Sequence, residues 1–127
     1  MVCSLLFVGC KDKGSAAGGE AKKAASTATA KAADLDAAKK VYAARCVVCH
    51  GATGKGDGAG AANLTPKPRS FADKDWQKKV TDDAIRTVIL KGGLAVGKSP
   101  TMPPQADLKA KPEVIAGLVA LVRSMGK

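Results

Sequence analysis

The chain has 127 residues and a formal net charge of +10, and 46% of its residues are hydrophobic but only 3% aromatic. This length allows one small domain, which can bury only a modest fraction of its surface unless another group adds to its core. The positive charge lies on no recognisable motif for reading bases, so we predict that nucleic acid is not a partner.

Residues 1–10 form an apolar run that is too short to span a bilayer, which takes about 20 residues. The run resembles the end of a bacterial lipoprotein signal, in which a small residue precedes the cysteine that becomes the acylated N-terminus. Gly9 and Cys10 match these two positions. We therefore predict lipidation of Cys10 and, because no Lys or Arg precedes the apolar run, a longer precursor. The alternative is a short signal remnant with an incidental cysteine.

Residues 11–33 consist mainly of Ala, Lys, Gly and Ser, and they lack the apolar periodicity that packing requires. We predict that they form a flexible tether with a root-mean-square span of roughly 25–30 Å. Such a tether would let the domain formed by residues 34–127 swing between partners at a membrane.

The first helix is predicted to run from about Leu35 to Cys49, because apolar side chains recur there at helical spacing. Either Asp34 or Asp36 is suited to be its N-cap. Gly51 is expected to end it.

The end of this helix carries a C-x-x-C-H motif, formed by Cys46, Cys49 and His50. Two thiols three residues apart face the same side of a helical turn, so both can add to the two vinyl groups of one porphyrin. His50 then lies beneath the ring and can offer a nitrogen to the iron. A zinc site would lack a fourth ligand, since there is no second histidine and the remaining cysteines, Cys3 and Cys10, are far away in sequence. A thioredoxin-type redox pair would need a βαβ setting that the sequence does not show.

A glycine-rich segment, residues 51–60, follows the motif. It suggests a phosphate-binding loop at first sight, but no predicted strand precedes it and the G-x-x-x-x-G-K-[ST] spacing is absent. Two explanations remain, namely glycines that let the backbone pass close to the edge of the porphyrin, or a mobile surface loop.

Two further helices are predicted downstream. One runs from Asp82 to Lys91, with Thr81 as its cap and a pair of glycines to end it. The other runs from Pro112 to about Met125, with proline at the first helical position. Gly117 lies inside this helix and either permits a close approach of the first helix or is simply tolerated. No strand pattern is convincing, so the predicted fold class is all-α.

This order of elements resembles a class I c-type cytochrome over about residues 34–127. The features that carry the resemblance are the helix ending in C-x-x-C-H, a proline-containing loop, a middle helix, a loop with methionine and a C-terminal helix. The resemblance implies the cytochrome c fold, with three main helices plus loops that enclose one covalently bound haem c. It also implies that the terminal helices cross, with Tyr42 and the Val119–Val122 side contributing to the crossing.

The resemblance implies a methionine as the second axial ligand, in a loop flanked by prolines. Met102, within residues 99–104, matches this position. Elimination reaches the same residue, because His50 is the only histidine, Met1 lies in the signal-like segment and Met125 falls on an apolar helix face. His50 and Met102 are thus the predicted metal ligands, and a lysine ligand or an open iron is the alternative.

The family also places a backbone carbonyl against the other nitrogen of the proximal imidazole, and Pro66 or Pro68 is suited to supply it. Arg69 and Trp76 are candidates to reach the haem propionates. For Trp76, simple packing in the core is an equally good interpretation.

The function that follows is one-electron transfer rather than catalysis. Haem c is attached after export, on the outer side of the bacterial inner membrane, which agrees with the signal-like start of the chain. We therefore predict a lipoprotein, anchored through Cys10 on the periplasmic side of a bacterial membrane, that shuttles electrons between redox partners. The positive charge would steer the protein toward acidic docking surfaces of its partners. The alternative is that the charged side chains only form a solvated surface that keeps the protein in solution. The alternative function is that of a haem-based sensor or a peroxidase-like enzyme with a labile methionine ligand.

Overall fold

The structure is a computed structural model that describes residues 33–127. The signal-like segment with Cys10, and the predicted tether except its last residue, Ala33, lie outside the described residues. The described part is built of helices and turns and contains no strand, which confirms the predicted all-α class. None of its helices is both long and apolar enough to cross a membrane.

The first helical segment begins with α1, Leu35–Val41. Of the two candidate caps, Asp34 is the one used, since its side chain accepts a hydrogen bond of 2.8 Å from the amide of Ala37. This bond satisfies one of the amides that a helix start leaves without a partner.

The predicted first helix is interrupted by a π-helical turn, Tyr42–Cys46, before it continues as α2, Val47–His50. The Tyr42 carbonyl accepts from the Val47 amide, five residues later, where an α-helix would use a residue four later. Gly51 ends the segment, as predicted, with a φ of 75°. Hydrophobic spacing alone does not reveal such a turn, which is rare and is frequently found at functional sites.

The other two predicted helices are present. α4, Asp82–Lys91, has the predicted bounds, and the Thr81 side chain caps it by accepting from the Ala84 amide at 3.1 Å. α5, Pro112–Ser124, ends one residue before the predicted position. Its buried face supplies the largest group of side chains in the core: Val114, Ile115, Leu118, Val119 and Val122.

α1 and α5 cross closely at Gly117. A Cβ atom on this residue would lie 2.5 Å from the Asp34 carbonyl oxygen and 2.7 Å from the Ala38 Cβ, closer than such atoms can approach. Glycine is therefore required for the observed crossing, which settles the choice left open by the sequence. Tyr42 and the Val119–Val122 side lie in the core beside it, as the resemblance implied.

Sequence analysis missed one α-helix, α3, Lys74–Lys79. It begins at Asp73, whose side chain accepts from the amides of Asp75 and Trp76, each at 3.0 Å. Only one of its six residues is apolar, so it has no hydrophobic periodicity to detect. Tertiary contacts hold it, since Trp76 packs against the core and the Gln77 side chain donates to two backbone carbonyls.

Three short 3-10 segments also lie in regions that had no predicted structure: Ala59–Ala61, Leu94–Val96 and Ala106–Ala110. The last of them contributes Leu108, which is only 1% exposed and is the most deeply buried large side chain of the described residues. These short turns bring the loops back onto the helices that carry the candidate site.

Candidate functional site

The C-x-x-C-H residues lie together at the end of the first helical segment. Cys46, Cys49 and His50 are each half-buried, and both cysteines are free thiols. Their spacing of three and four residues puts them on one side of the helix, while Val48 between them is 52% exposed and points elsewhere. The structure thus brings together the three residues that sequence reasoning grouped.

The thiols do not suit the two alternative kinds of cysteine site. Burial raises the pKa of the Cys46 thiol, against an opposing effect of the Arg45 charge. Thioredoxin-type thiols have a lowered pKa instead. Within residues 33–127, no group of three or more His, Cys, Asp or Glu side chains is arranged to hold a metal ion, so a zinc site has no support there either.

The His50 imidazole packs against an aromatic side chain from a distant segment of the chain. Its ring stacks on Phe71, with 4.6 Å between ring centroids and 19° between the planes. Phe71 stacks in turn on Trp76 at 5.7 Å and 28°. Sequence analysis did not find Phe71, because 21 residues separate it from His50 and no local pattern links the two.

Burial lowers the pKa of His50, so the imidazole is neutral at pH 7 and can donate a lone pair to a metal. The backbone of Arg69 acts in the opposite direction as a hydrogen-bonding neighbour and raises this pKa. That interaction is weak, since the buried Nδ1 atom has no partner at regular hydrogen-bond geometry within the described residues.

The backbone neighbour of His50 is therefore Arg69, where Pro66 or Pro68 was expected. The Pro68 carbonyl instead lies against Gly56 of the glycine-rich loop. The Arg69 side chain pairs with Asp73 at 3.6 Å. Trp76 packs against the core, which agrees with the alternative interpretation of Trp76 as a core residue.

The glycine-rich loop wraps around the end of α2. Its amides donate to the carbonyls of the last helical residues, as in the bonds from Gly56 to His50 at 2.9 Å and from Gly58 to Cys49 at 3.2 Å. A Cβ atom on Gly58 would lie 2.5 Å from the Val47 carbonyl oxygen, so only glycine can pass here. The loop completes the hydrogen bonds of the helix end, and no strand precedes it in the described part that would support a phosphate-binding role.

Met102 lies half-buried in a loop that returns to the end of α4. Its carbonyl accepts from the Gly93 amide at 3.0 Å, and its amide donates to the Ser99 carbonyl at 3.4 Å. Beyond it, the Gln105 amide donates to the Ile89 carbonyl at 2.9 Å. Backbone bonds thus hold the loop on both sides of Met102.

These residues suit a haem bound through two cysteines. The thiols are unpaired and share one helix face, and the neutral imidazole follows them directly. Half-buried apolar side chains of Val47, Ile89 and Leu90 pack beside the core without being fully covered by protein. A large apolar prosthetic group would complete their burial.

Comparison with known proteins identifies the family. Residues 35–126 match the family described as Cytochrome c. The chain belongs to the cytochrome c family. Cytochromes c carry covalently bound haem c and transfer electrons through it, and c-type cytochromes are typically extracytoplasmic, so these properties apply to this cytochrome c at the level of the family.

This cytochrome c is also similar to a solved structure, the KustC0563 c-type cytochrome. The two are 33% identical in sequence with a TM-score of 0.53, and the match covers 71% of this chain and 98% of the other. No curated protein sequence matches this cytochrome c. The match to the cytochrome c family and the similarity to this solved structure confirm the predicted family and fold.

Proposed function

We propose that this cytochrome c is a one-electron carrier whose haem is bonded to Cys46 and Cys49 and coordinated by His50 and Met102. The observation that carries the proposal is that both free thiols and the neutral imidazole are half-buried within residues 46–50, at the end of the first helical segment. A bound haem supplies an iron that changes between the ferrous and ferric states. Cys46 and Cys49 would hold this group covalently, and His50 and Met102 would coordinate its iron, which would keep substrates away from the metal.

The Met102 loop supports a ligand that stays in place in both oxidation states. Hydrogen bonds to the end of α4 hold the backbone before and after this residue. Pro100, Pro103 and Pro104 further restrict the backbone torsions on each side. A thioether ligand raises the reduction potential relative to more electron-donating ligands, and an unchanged ligand set keeps rearrangement on electron transfer small.

We propose that the partners are redox proteins with acidic docking surfaces. Residues 34–127 carry sixteen Lys and Arg side chains against nine acidic ones, which leaves a net charge of +7. Opposite charges steer encounters over about 8–10 Å at moderate ionic strength, so association should slow as salt is added.

We further propose that the protein is a lipoprotein anchored on the periplasmic side of a bacterial membrane through acylated Cys10, with residues 11–33 as the tether. More than one acyl chain is needed for stable anchoring, which the lipoprotein resemblance would provide. In membrane and soluble fractions separated on a haem-stained gel, Cys10→Ser should move the stain to the soluble fraction. Cys3→Ser is the matched control and should leave it with the membrane. If the stain stays with the membrane in Cys10→Ser, the proposed lipid anchor at Cys10 is contradicted, whereas the electron-carrier proposal is unaffected.

The ligand assignment is tested by the optical spectrum of the ferric protein. The wild type should show the weak band at the red edge that arises from sulfur-to-iron charge transfer. Met102→Ala should lose this band, bind added cyanide and have a lower reduction potential, with haem still attached. Met125→Ala is the matched control, because Met125 packs against the core, and it should keep the band while losing some stability.

Two outcomes would contradict the carrier assignment. A high-spin ferric spectrum in the wild type would indicate an open iron and favour a sensor or a peroxidase-like enzyme. An unchanged cyanide affinity and potential in Met102→Ala would show that Met102 is not the ligand.

A further inference from the structure

One side chain joins the two segments that carry the proposed iron ligands. Arg45, directly before Cys46, reaches across to the chain just after Met102. Its Nη1 atom donates to the Gln105 side-chain oxygen at 3.0 Å and to both carboxylate oxygens of Asp107, at 3.0 and 2.9 Å. These hydrogen bonds span about 60 residues of sequence, so they connect the haem-attachment helix directly to the methionine loop.

The residues that Arg45 contacts are themselves well fixed. The Gln105 amide donates to the Ile89 carbonyl at the end of α4, and the Gln105 carbonyl accepts from the Leu108 amide at 3.0 Å. Leu108 is buried in the core. The segment after Met102 is therefore held by α4 and by the core, and Arg45 adds the tie to the helix that carries His50.

No other ion pair in residues 33–127 makes this connection. Four pairs join residues three or four apart in sequence: Asp36 with Lys39, Arg69 with Asp73, Asp75 with Lys78, and Asp83 with Arg86. The remaining long-range pair, Asp82 with Arg123, joins α4 to α5. The Arg45 pair is thus placed where it can act on the methionine loop, whereas none of the others joins this loop to the attachment helix.

We propose that Arg45 is a positioning residue that keeps the Met102 loop closed and thereby limits how easily an added ligand displaces Met102. This inference rests on the proposed coordination by His50 and Met102. Displacement of Met102 requires the loop to move away from the attachment helix, and each hydrogen bond that must break for this movement makes the open state rarer. The apparent affinity for an added ligand falls in proportion to the population of that open state.

The expected size of the effect follows from the exposure of the pair. The side chains of Arg45 and Asp107 are 43% and 54% exposed, so water and salt weaken their attraction. The guanidinium donates to two side chains at once, so the free energy of this interaction should lie at the upper end of the range for exposed ion pairs. Removal of Arg45 should therefore raise cyanide affinity about fivefold, equivalent to about 1 kcal/mol.

The experiment is a cyanide titration of the ferric holoprotein, followed by its optical spectrum. Arg45→Ala should bind cyanide about fivefold more tightly than the wild type. Asp107→Asn should have a smaller effect in the same direction, because the asparagine oxygen still accepts a hydrogen bond and the bond to Gln105 remains. The double variant should gain little beyond Arg45→Ala. Arg45→Lys should fall between wild type and Arg45→Ala, because it keeps the charge but lacks the rigid planar guanidinium and is more strongly hydrated. Arg86→Ala is the control, since Arg86 pairs with Asp83 within one helix, and it should not change the affinity.

Salt and global stability separate positioning from a general structural role. The difference between wild type and Arg45→Ala should shrink at high ionic strength. If Arg45 served only overall stability, Arg45→Ala would lower the denaturation midpoint and leave cyanide affinity unchanged, which would overturn the proposal. If instead Met102→Ala leaves cyanide affinity unchanged, the ligand assignment itself fails, and the role of Arg45 fails with it.

Discussion

Substitution of Gly117 by alanine tests whether the crossing of the two terminal helices determines the stability of the domain. The added Cβ atom would lie 2.5 Å from the Asp34 carbonyl oxygen and 2.7 Å from the Ala38 Cβ. Neither neighbour is the end of a flexible side chain. The Asp34 carbonyl also accepts the first hydrogen bond of α1, from the Ala38 amide at 3.0 Å, so its displacement would weaken the helix start.

Two effects of opposite sign decide the result. Alanine is favoured over glycine inside a helix by about 1 kcal/mol. Overpacking of a well-filled interior costs about 1–3 kcal/mol, and the rigid neighbours put this site in the upper part of that range. We therefore expect Gly117→Ala to lower the free energy of unfolding by about 1–2 kcal/mol, although it improves helix propensity.

The measurement is guanidinium denaturation of the holoprotein followed by far-ultraviolet circular dichroism, with the free energy extrapolated to water. Ala120→Gly is the control, because Ala120 is on the exposed side of the same helix and reports helix propensity alone. It should lose about 1 kcal/mol. If Gly117→Ala raises the free energy of unfolding by as much as Ala120→Gly lowers it, the helices accommodate the added methyl group at no cost. The close approach of the two helices would then not require glycine.

Two further predictions concern the hydrogen bond of the Tyr42 hydroxyl and the role of His50. Tyr42 donates to the Gly51 carbonyl at 2.8 Å, and burial is the largest cause that raises its pKa from 10.0 to about 12. The unfolded chain therefore loses this proton first, so the stability that the hydroxyl contributes is fully present below pH 10 and is lost as the pH rises toward 12. Denaturation at several pH values should show Tyr42→Phe about 1 kcal/mol less stable than wild type at pH 7, with the difference shrinking in this alkaline range. A constant difference would contradict the assigned pKa. His50→Ala should prevent accumulation of stable holoprotein, measured by haem absorbance per polypeptide, and recovery of normally ligated protein would argue against His50 as the ligand.

Local patterns were sufficient for much of the fold. The bounds of α4 follow from Thr81 at its start and glycine at its end, and both signals act within a few residues of the helix. The first helical segment and α5 were located by apolar spacing together with Asp34, Gly51 and Pro112. The shared face of Cys46, Cys49 and His50 likewise follows from helical geometry once a helix is assigned there.

Other features depend on residues that are distant in sequence. α3 has too few apolar residues to be recognised by periodicity, and it is stabilised by Trp76 against the core and by Gln77 bonds to neighbouring backbone. The π-helical turn leaves the apolar spacing of the sequence almost unchanged, because it adds one residue to a single turn. Sequence spacing therefore located the helices without describing their irregularities.

The surroundings of the candidate site are the clearest case. The sequence by itself determined which residues have the chemistry to attach and coordinate a haem, because motif spacing and side-chain type are local properties. Only the tertiary structure decided that Phe71 stacks on His50 and that Arg45 reaches Gln105 and Asp107. Those interactions exist because loops of many residues bring separate segments together, and the path of a loop depends on the packing of the whole core rather than on any short stretch of chain.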